Sequence, residues 1–301
     1  MSYALTQTQS VFVIYVLNID KMNYIHIKSQ DCNYLNDLTS TIEFTLQEPI
    51  FRKQTEIFEI SLISCVIPYS WYIINNRNNK VSITEDEITT DIYLTNGNYN
   101  IREIVILLEN ALNENTQNST TYNVSFSKYT NKLTISTDDM EKTTIFDFYY
   151  SYEILGFNYW TTYTMTTNDP LTSSNVCNIY ADDNVYIRTN LINNNAIDSY
   201  SRAPTNILQK IEIHVPQGSY IYLNNMITPL TSDNKSINSI QLFITDEWDD
   251  TINLNGLNWS CTLQIRTIER MPDYYDKMIS LKQEEENTNK IISKIVEKLK
   301  K

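Results

Sequence analysis

A predominantly antiparallel β fold, a sandwich or a barrel interrupted by a smaller α+β unit, is what this sequence predicts. Three observations lead there. Apolar residues alternate with polar ones at period two through most of the chain, the signature of half-buried strands. Tyr, Ile and Thr, which fit a pleated surface, are plentiful, and Asn supplies turns. Pro68 and Pro216 each close an apolar run, as expected of a residue that cannot donate to a ladder. With 301 residues, the chain can bury roughly 75% of its unfolded surface. It therefore needs no metal or disulfide to hold a core. The same length approaches the limit of one core, so a sheet domain with an insertion, or two domains, is expected.

Taken in order, the run Val11–Leu17 is too short to span a bilayer and reads as an N-terminal strand. Ile42, Phe44 and Leu46 share a face of a short strand that ends before Pro49. Phe58, Ile60 and Leu62 do the same in a longer one reaching Val66. The texture changes at residue 79. Ile101, Ile104, Val105, Leu108 and Leu112 recur at helical spacing, with Asn100 and Glu103 placed as a capping box. Strand candidates at 80–83 and 91–94 precede this helix. A hairpin follows, Tyr122, Val124 and Phe126 against Leu133 and Ile135, with Tyr129–Asn131 at the turn. Strands resume with Val185, Ile187 and Leu191, then with Ile207, Ile211, Ile213 and Val215. Further runs at 220–223, 240–245 and 259–268 complete the set, the last alternating Trp259, Cys261, Leu263 and Ile265. Beyond Pro272, Ile291, Ile292, Ile295, Val296 and Leu299 form one helical stripe, with lysines at its end as the helix dipole favours. The expected division is 1–78, an inserted α+β domain at 79–165, a return to the sandwich at 166–272, and a C-terminal amphipathic helix at 273–301.

Composition excludes several activities. A net charge of −13 is unsuited to coating nucleic acid, since phosphate binding needs a basic face, and no specific nucleic-acid contact is expected. Only His26 and His214 could titrate near neutrality as unperturbed bases, and His214 lies on the polar side of a strand. There is no G-x-S-x-G nucleophile elbow. The glycines at 97, 156, 218 and 256 are too scattered for either phosphate-cradling loop. Cys32, Cys65, Cys177 and Cys261 form no CxxC pair and read as reduced thiols. No enzyme, no cofactor and no metal site is therefore expected.

What remains is contact chemistry. Carboxylates cluster at 85–87, 138–139, 182–183 and 246–250; the last could hold Ca²⁺ in principle but lacks the spacing and Gly of an EF-hand loop. Tyr69, Trp71 and Tyr72, or Tyr159, Trp160 and Tyr163, invite a glycan-binding reading, set against burial or a subunit interface. Tyr69, Trp71, Tyr72, Trp160 and Tyr163 are accordingly candidate interface residues. So are Ile291, Ile295 and Leu299 on the lysine-tipped terminal helix, which docks on its own domain, on a partner groove or on an anionic membrane.

Five segments in order resemble the penton (vertex) and minor capsid proteins of Sputnik-like virophages, Polinton-like viruses and large DNA viruses. They are YIHIKSQDCNYLNDLTSTIEFTLQEPI (Tyr24–Ile50), SCVIPYSWYIINNRNN (Ser64–Asn79), NGNYNIREIVILLENAL (Asn96–Leu112), EILGF (Glu153–Phe157) and FITDEWDDTINLNGLNWSCTLQI (Phe243–Ile265). The resemblance covers most of residues 24–268; the terminal helix is not part of it. It implies a single jelly roll, two four-stranded sheets face to face, carrying an inserted upper domain. It also implies a structural role in the virion, assembled in the host cytoplasm. Homopentamers would fill the five-fold vertices of an icosahedral capsid beside the major capsid protein capsomers. The insertion would be free for a host or co-infecting virus surface. A carbohydrate-binding or attachment module is the alternative.

Overall fold

The structure is a computed structural model that describes residues 22–269, apart from 117–119, 139–142, 181, 193–195, 198, 200–201 and 224–228. The expected strand at Val11–Leu17 and the terminal helix with Ile291, Ile295 and Leu299 lie outside the described residues.

Eight strands build the larger unit. In chain order they are Met22–Lys28, Thr41–Phe51, Glu56–Pro68, Asn184–Thr189, Ile207–Glu212, the broken pair Tyr220–Leu223 and Leu230–Ser232, Ser236–Thr245 and Ser260–Glu269. One sheet has the order first–eighth–third–sixth, the other fifth–fourth–seventh–second, extended at its edge by Asn33–Tyr34. Every pairing is antiparallel, and the first strand lies on the eighth, the second on the seventh, the third on the sixth, the fourth on the fifth. A long hairpin rolled up on itself produces that order, which is the jelly roll. The two inner faces close over Ile27, Ile42, Phe58, Ile60, Leu62, Val185, Ile187, Ile240, Leu242, Ile244, Leu263 and Ile265, all essentially buried.

Three ladders depart from the simple alternation: an extra residue, Ile63, in the third strand shifts its inward phase from Leu62 to Cys65, and two other shifts alter expected strands. The second strand does not end before Pro49 but runs to Phe51. Its ladder passes from Thr45 opposite Ser239 directly to Ile50 opposite Ile237, so Pro49 sits in a bulge where no donor is required. In the fifth strand, Arg188 pairs with Ile207 while Ile187 pairs with Gln209. The extra residue, Leu208, turns inward in place of Ile207, and the next buried side chain is Ile211.

Between the third and fourth strands the chain leaves to build a second core. Thr162–Thr166, Thr143–Asp147, Lys80–Glu85 and Ile88–Tyr93 form one sheet in that order; Leu171–Thr172, Lys132–Thr137 and Tyr122–Ser127 form another. The helix Ile101–Asn115 packs on the strands Tyr122–Ser127 and Ile88–Tyr93. Asn100 Oδ1 accepts from the amides of Arg102 and Glu103 (3.0 and 3.2 Å), and Glu103 Oε2 accepts from the Asn100 amide (2.8 Å). Its buried face is Ile104, Leu108, Ala111 and Leu112. This core draws on Ile73 and Ile74 at one end and Leu171 at the other, so its apolar contacts spread beyond 79–165 on both sides.

Met22 lies opposite Arg266, and Glu269 opposite Glu56, whereas Pro68 at the other end of the third strand leads into the insertion. Glu269 therefore lies twelve strand steps, about 40 Å, and Met22 nine steps, about 30 Å, from the end at which the chain leaves for the insertion. All four cysteines are free thiols.

Candidate functional site: a cleft between the insertion and the jelly roll

The two chain crossings between the units are short, polar and heavily cross-bonded. On the outward crossing, Tyr69 and Trp71 are buried in the jelly-roll core, their ring centroids 4.5 Å apart. The Asn-rich stretch that follows is a set of side-chain staples rather than a loose linker. Asn75 Oδ1 accepts from the Arg77 amide (3.0 Å), Asn78 Oδ1 from the Asn75 amide (2.8 Å), and Asn98 Oδ1 from the Ile73 amide (2.9 Å). Ile74 and Gly97 exchange both backbone hydrogen bonds (3.0 and 2.9 Å). These short amide side chains hold a turn that a backbone ladder cannot reach. The effect is to fix Arg77 in space.

Against the return crossing, Gly156 of the insertion lies at φ +77°, and a Cβ there would stand 2.6 Å from the Asn175 carbonyl oxygen. The Asn175 amide donates to the Gly156 carbonyl (2.7 Å), and Asn178 donates to Glu153 through both its backbone (3.2 Å) and its side chain (3.0 Å). Leu155 and Phe157 on either side are buried. The EILGF segment thus seats the returning chain, which carries Tyr180 and Asp182 toward Arg77.

A cleft of about 450 Å³ opens between these crossings. From the insertion it is lined by Tyr149, Tyr150, Tyr152, Glu153 and Tyr159, and from the jelly-roll side by Arg77, Tyr180, Asp182, Asp246, Trp248 and Asp250. Arg77 Nη1 donates to Oδ2 of buried Asp246 and, at 3.1 Å, to Asp250 Oδ2. Asp246 Oδ1 accepts from the amides of Trp248 and Asp250 (2.9 Å each). The guanidinium therefore lies where the acidic run 246–250 could have held a cation, and among the described residues no group of three or more His, Cys, Asp or Glu is placed to hold a metal. Trp71 Nε1 donates to Asp182 Oδ2 (2.9 Å). Burial, and then the neighbouring Asp246 charge, push the Asp182 carboxyl up to about 6. Glu247 is raised as well, by burial and by Glu153.

Rings form the outer wall. Tyr149 packs against Tyr159 (5.1 Å) and, edge-on, against Trp160 (4.6 Å). The Tyr149 and Tyr159 hydroxyls are hydrogen-bonded (3.1 Å), and that pairing, with Tyr159, Tyr150 and Asp147 close by, pushes the Tyr149 phenol up to about 12. Tyr152 lies 5.0 Å from Tyr159. Trp160 is 73% exposed and Tyr180 72%, so much of the wall faces solvent. Trp160 and Asp249, each next to a residue that lines the cleft, both hold left-handed backbone, at φ 57° and 71°.

The expected contact residues separate by environment. Tyr69 and Trp71 are buried against the jelly-roll core; Tyr72 is half-exposed and Trp160 strongly exposed. Tyr163 packs against Phe157 and Phe148 inside the insertion, its hydroxyl accepting from the Asn158 amide (2.8 Å). Sequence reasoning flagged the carboxylates at 182–183 and 246–250 but passed over Arg77, Tyr149 and Tyr180. A single arginine in an Asn-rich run carries no periodicity, and its partners are 169 and 173 residues away. The histidines stand apart: His26 bonds Thr262 (3.0 Å), and His214 bonds exposed Glu212 (2.9 Å).

No protein-family model matches the chain and no curated protein matches it. Among solved structures it is similar to the mavirus penton protein, in its selenomethionine-labelled crystal form, with a TM-score of 0.45 and 10% identity. The match covers 82% of this chain and 100% of that chain.

Proposed function

We propose that the chain is a structural virion protein that assembles as a homopentamer at the five-fold vertices of an icosahedral capsid and performs no chemical step. The observation that carries this reading is the eight-strand jelly-roll order with its insertion between the third and fourth strands. Jelly rolls of this order serve viral capsids as well as lectin domains and cupins, so the fold alone is an analogy. The five segments in family order, from Tyr24 to Ile265, narrow it to the penton family. The geometry is compatible with a shell. Residues 22 and 269 leave at one end and the insertion stands at the other, so one end can face the particle interior while the insertion faces outward. Partners are then further copies of this chain and the neighbouring capsid proteins, through interfaces of standard size or larger.

Light scattering on the purified chain, repeated with major capsid protein present, tests this. A mass of five protomers is the expected result, and a virion reconstruction should place the chain at the five-fold axes. A trimer, or a monomer that stays monomeric at high concentration and with the capsid protein added, overturns it. A second reading, an attachment module, is favoured by one specific feature: the exposed rings of Tyr150, Tyr159 and Trp160 on the insertion. The two readings are compatible.

A further inference from the structure

We propose that the cleft between the insertion and the jelly roll is a carbohydrate site that takes a neutral hexose-type unit of a glycan. Arg77 uses Nη1 alone for both of its carboxylates, and among the described residues its Nε and Nη2 meet no acceptor. Asp182 receives Trp71 on Oδ2, and its other oxygen meets no donor among the described residues. The cleft thus presents two unused donor groups, both on Arg77, and one unused acceptor, on Asp182, held on the two crossings. A sugar hydroxyl is both donor and acceptor, so neighbouring hydroxyls can satisfy Asp182 and Arg77 together. A purely cationic ligand could only donate and would leave Arg77 unmatched.

Shape and charge agree with that class. About 450 Å³ lies within the roughly 300–1,000 Å³ usual for small-ligand clefts. The rings of Tyr150, Tyr159, Tyr180 and Trp248 are each close to half exposed or more at the cleft, giving apolar faces for the C–H side of a pyranose. Of the charged side chains lining the cleft, Arg77 stands against Glu153, Asp182, Asp246 and Asp250, so an anionic sugar is repelled. The crossings that hold Arg77 and Asp182 are fixed by the staples described above, which lowers the ordering cost of binding.

The test is saturation-transfer NMR and tryptophan fluorescence on the full chain with galactose, glucose, N-acetylglucosamine and N-acetylneuraminic acid, and a lysine-rich peptide as competitor. At least one neutral sugar should bind saturably, N-acetylneuraminic acid should not, and the peptide should not displace the sugar. Asp182→Asn keeps an acceptor for Trp71, and so the fold, and should weaken the bound sugar about tenfold; Tyr180→Ala should do the same without touching the core. Circular dichroism on both variants confirms folding. No saturable neutral sugar, affinity unchanged in both folded variants, or binding of the peptide or the acidic sugar in preference overturns the proposal. Light scattering on the same samples reads assembly separately, so this site can fail while the pentamer stands, and the reverse.

Discussion

Asp182 shows how much one side chain can report. Its carboxyl titrates at about 6 when folded and at about 3.9 in an unfolded chain. Between those values the native state holds a proton that the unfolded state has released, so this group makes stability fall as pH rises through the window. Asp182→Asn removes the dependence. Relative to the parent, the variant should gain roughly 2–3 kcal/mol between pH ~4 and pH ~6 in urea titrations, and keep that gain at neutral pH. A gap between the two proteins that stays flat with pH would count against a buried, charge-crowded Asp182. Gly156 is the complementary case, a residue chosen for what it lacks. Gly156→Ala forces a Cβ to within 2.6 Å of the Asn175 carbonyl at φ +77°. It should cost about 1–3 kcal/mol in the same titration. Neither residue advertises its role in sequence: Asp182 is one of many acids, and the partner that makes Gly156 necessary lies 19 residues downstream.

Elements were legible where their cause is local. The helix Ile101–Asn115 was expected from a stripe and a cap, and both are present because capping and helical facing depend only on residues within two turns. Asn100→Ala should therefore destabilise by about 1 kcal/mol, while Glu103→Gln, which can still accept from the Asn100 amide, should cost less; paired urea midpoints check this. The hairpin Tyr122–Ser127 with Lys132–Thr137 was legible for the same reason, its turn closed by Asn131 at φ 54°. Elements were misjudged where a partner strand sets the phase. Pro49 looks like a terminator until pairing with Ser236–Thr245 resumes at Ile50, beyond the bulge that contains it, and Ile207 looks inward-facing until the bulge beside Ile187 hands that place to Leu208. A bulge is a property of a pair, so one strand's pattern cannot contain it.

At the scale of the whole molecule, two hydrophobic clusters share one chain, one inside the jelly roll and one inside the insertion. Leu263→Ala, in the first, should cost about 2–5 kcal/mol, and so should Leu133→Ala in the second. If the clusters unfold separately, hydrogen exchange should show each substitution weakening protection in its own unit and sparing the other. Uniform loss of protection from either substitution would mean that the crossings and the Arg77–Asp246 pair weld the units into one cooperative body. The sequence by itself determined the class of fold, the capped helix and hairpin of the interrupting unit, and the lack of any familiar reactive motif, because alternation, capping and motif spacing act over a few residues. Only the tertiary structure decided the jelly-roll strand order, which of the aromatic residues are core and which are surface, and the meeting of Arg77 with Asp246 and Asp250 near Asp182. Those depend on contacts as distant in sequence as Met22 and Arg266, whose energy comes from burial against partners that no local pattern names.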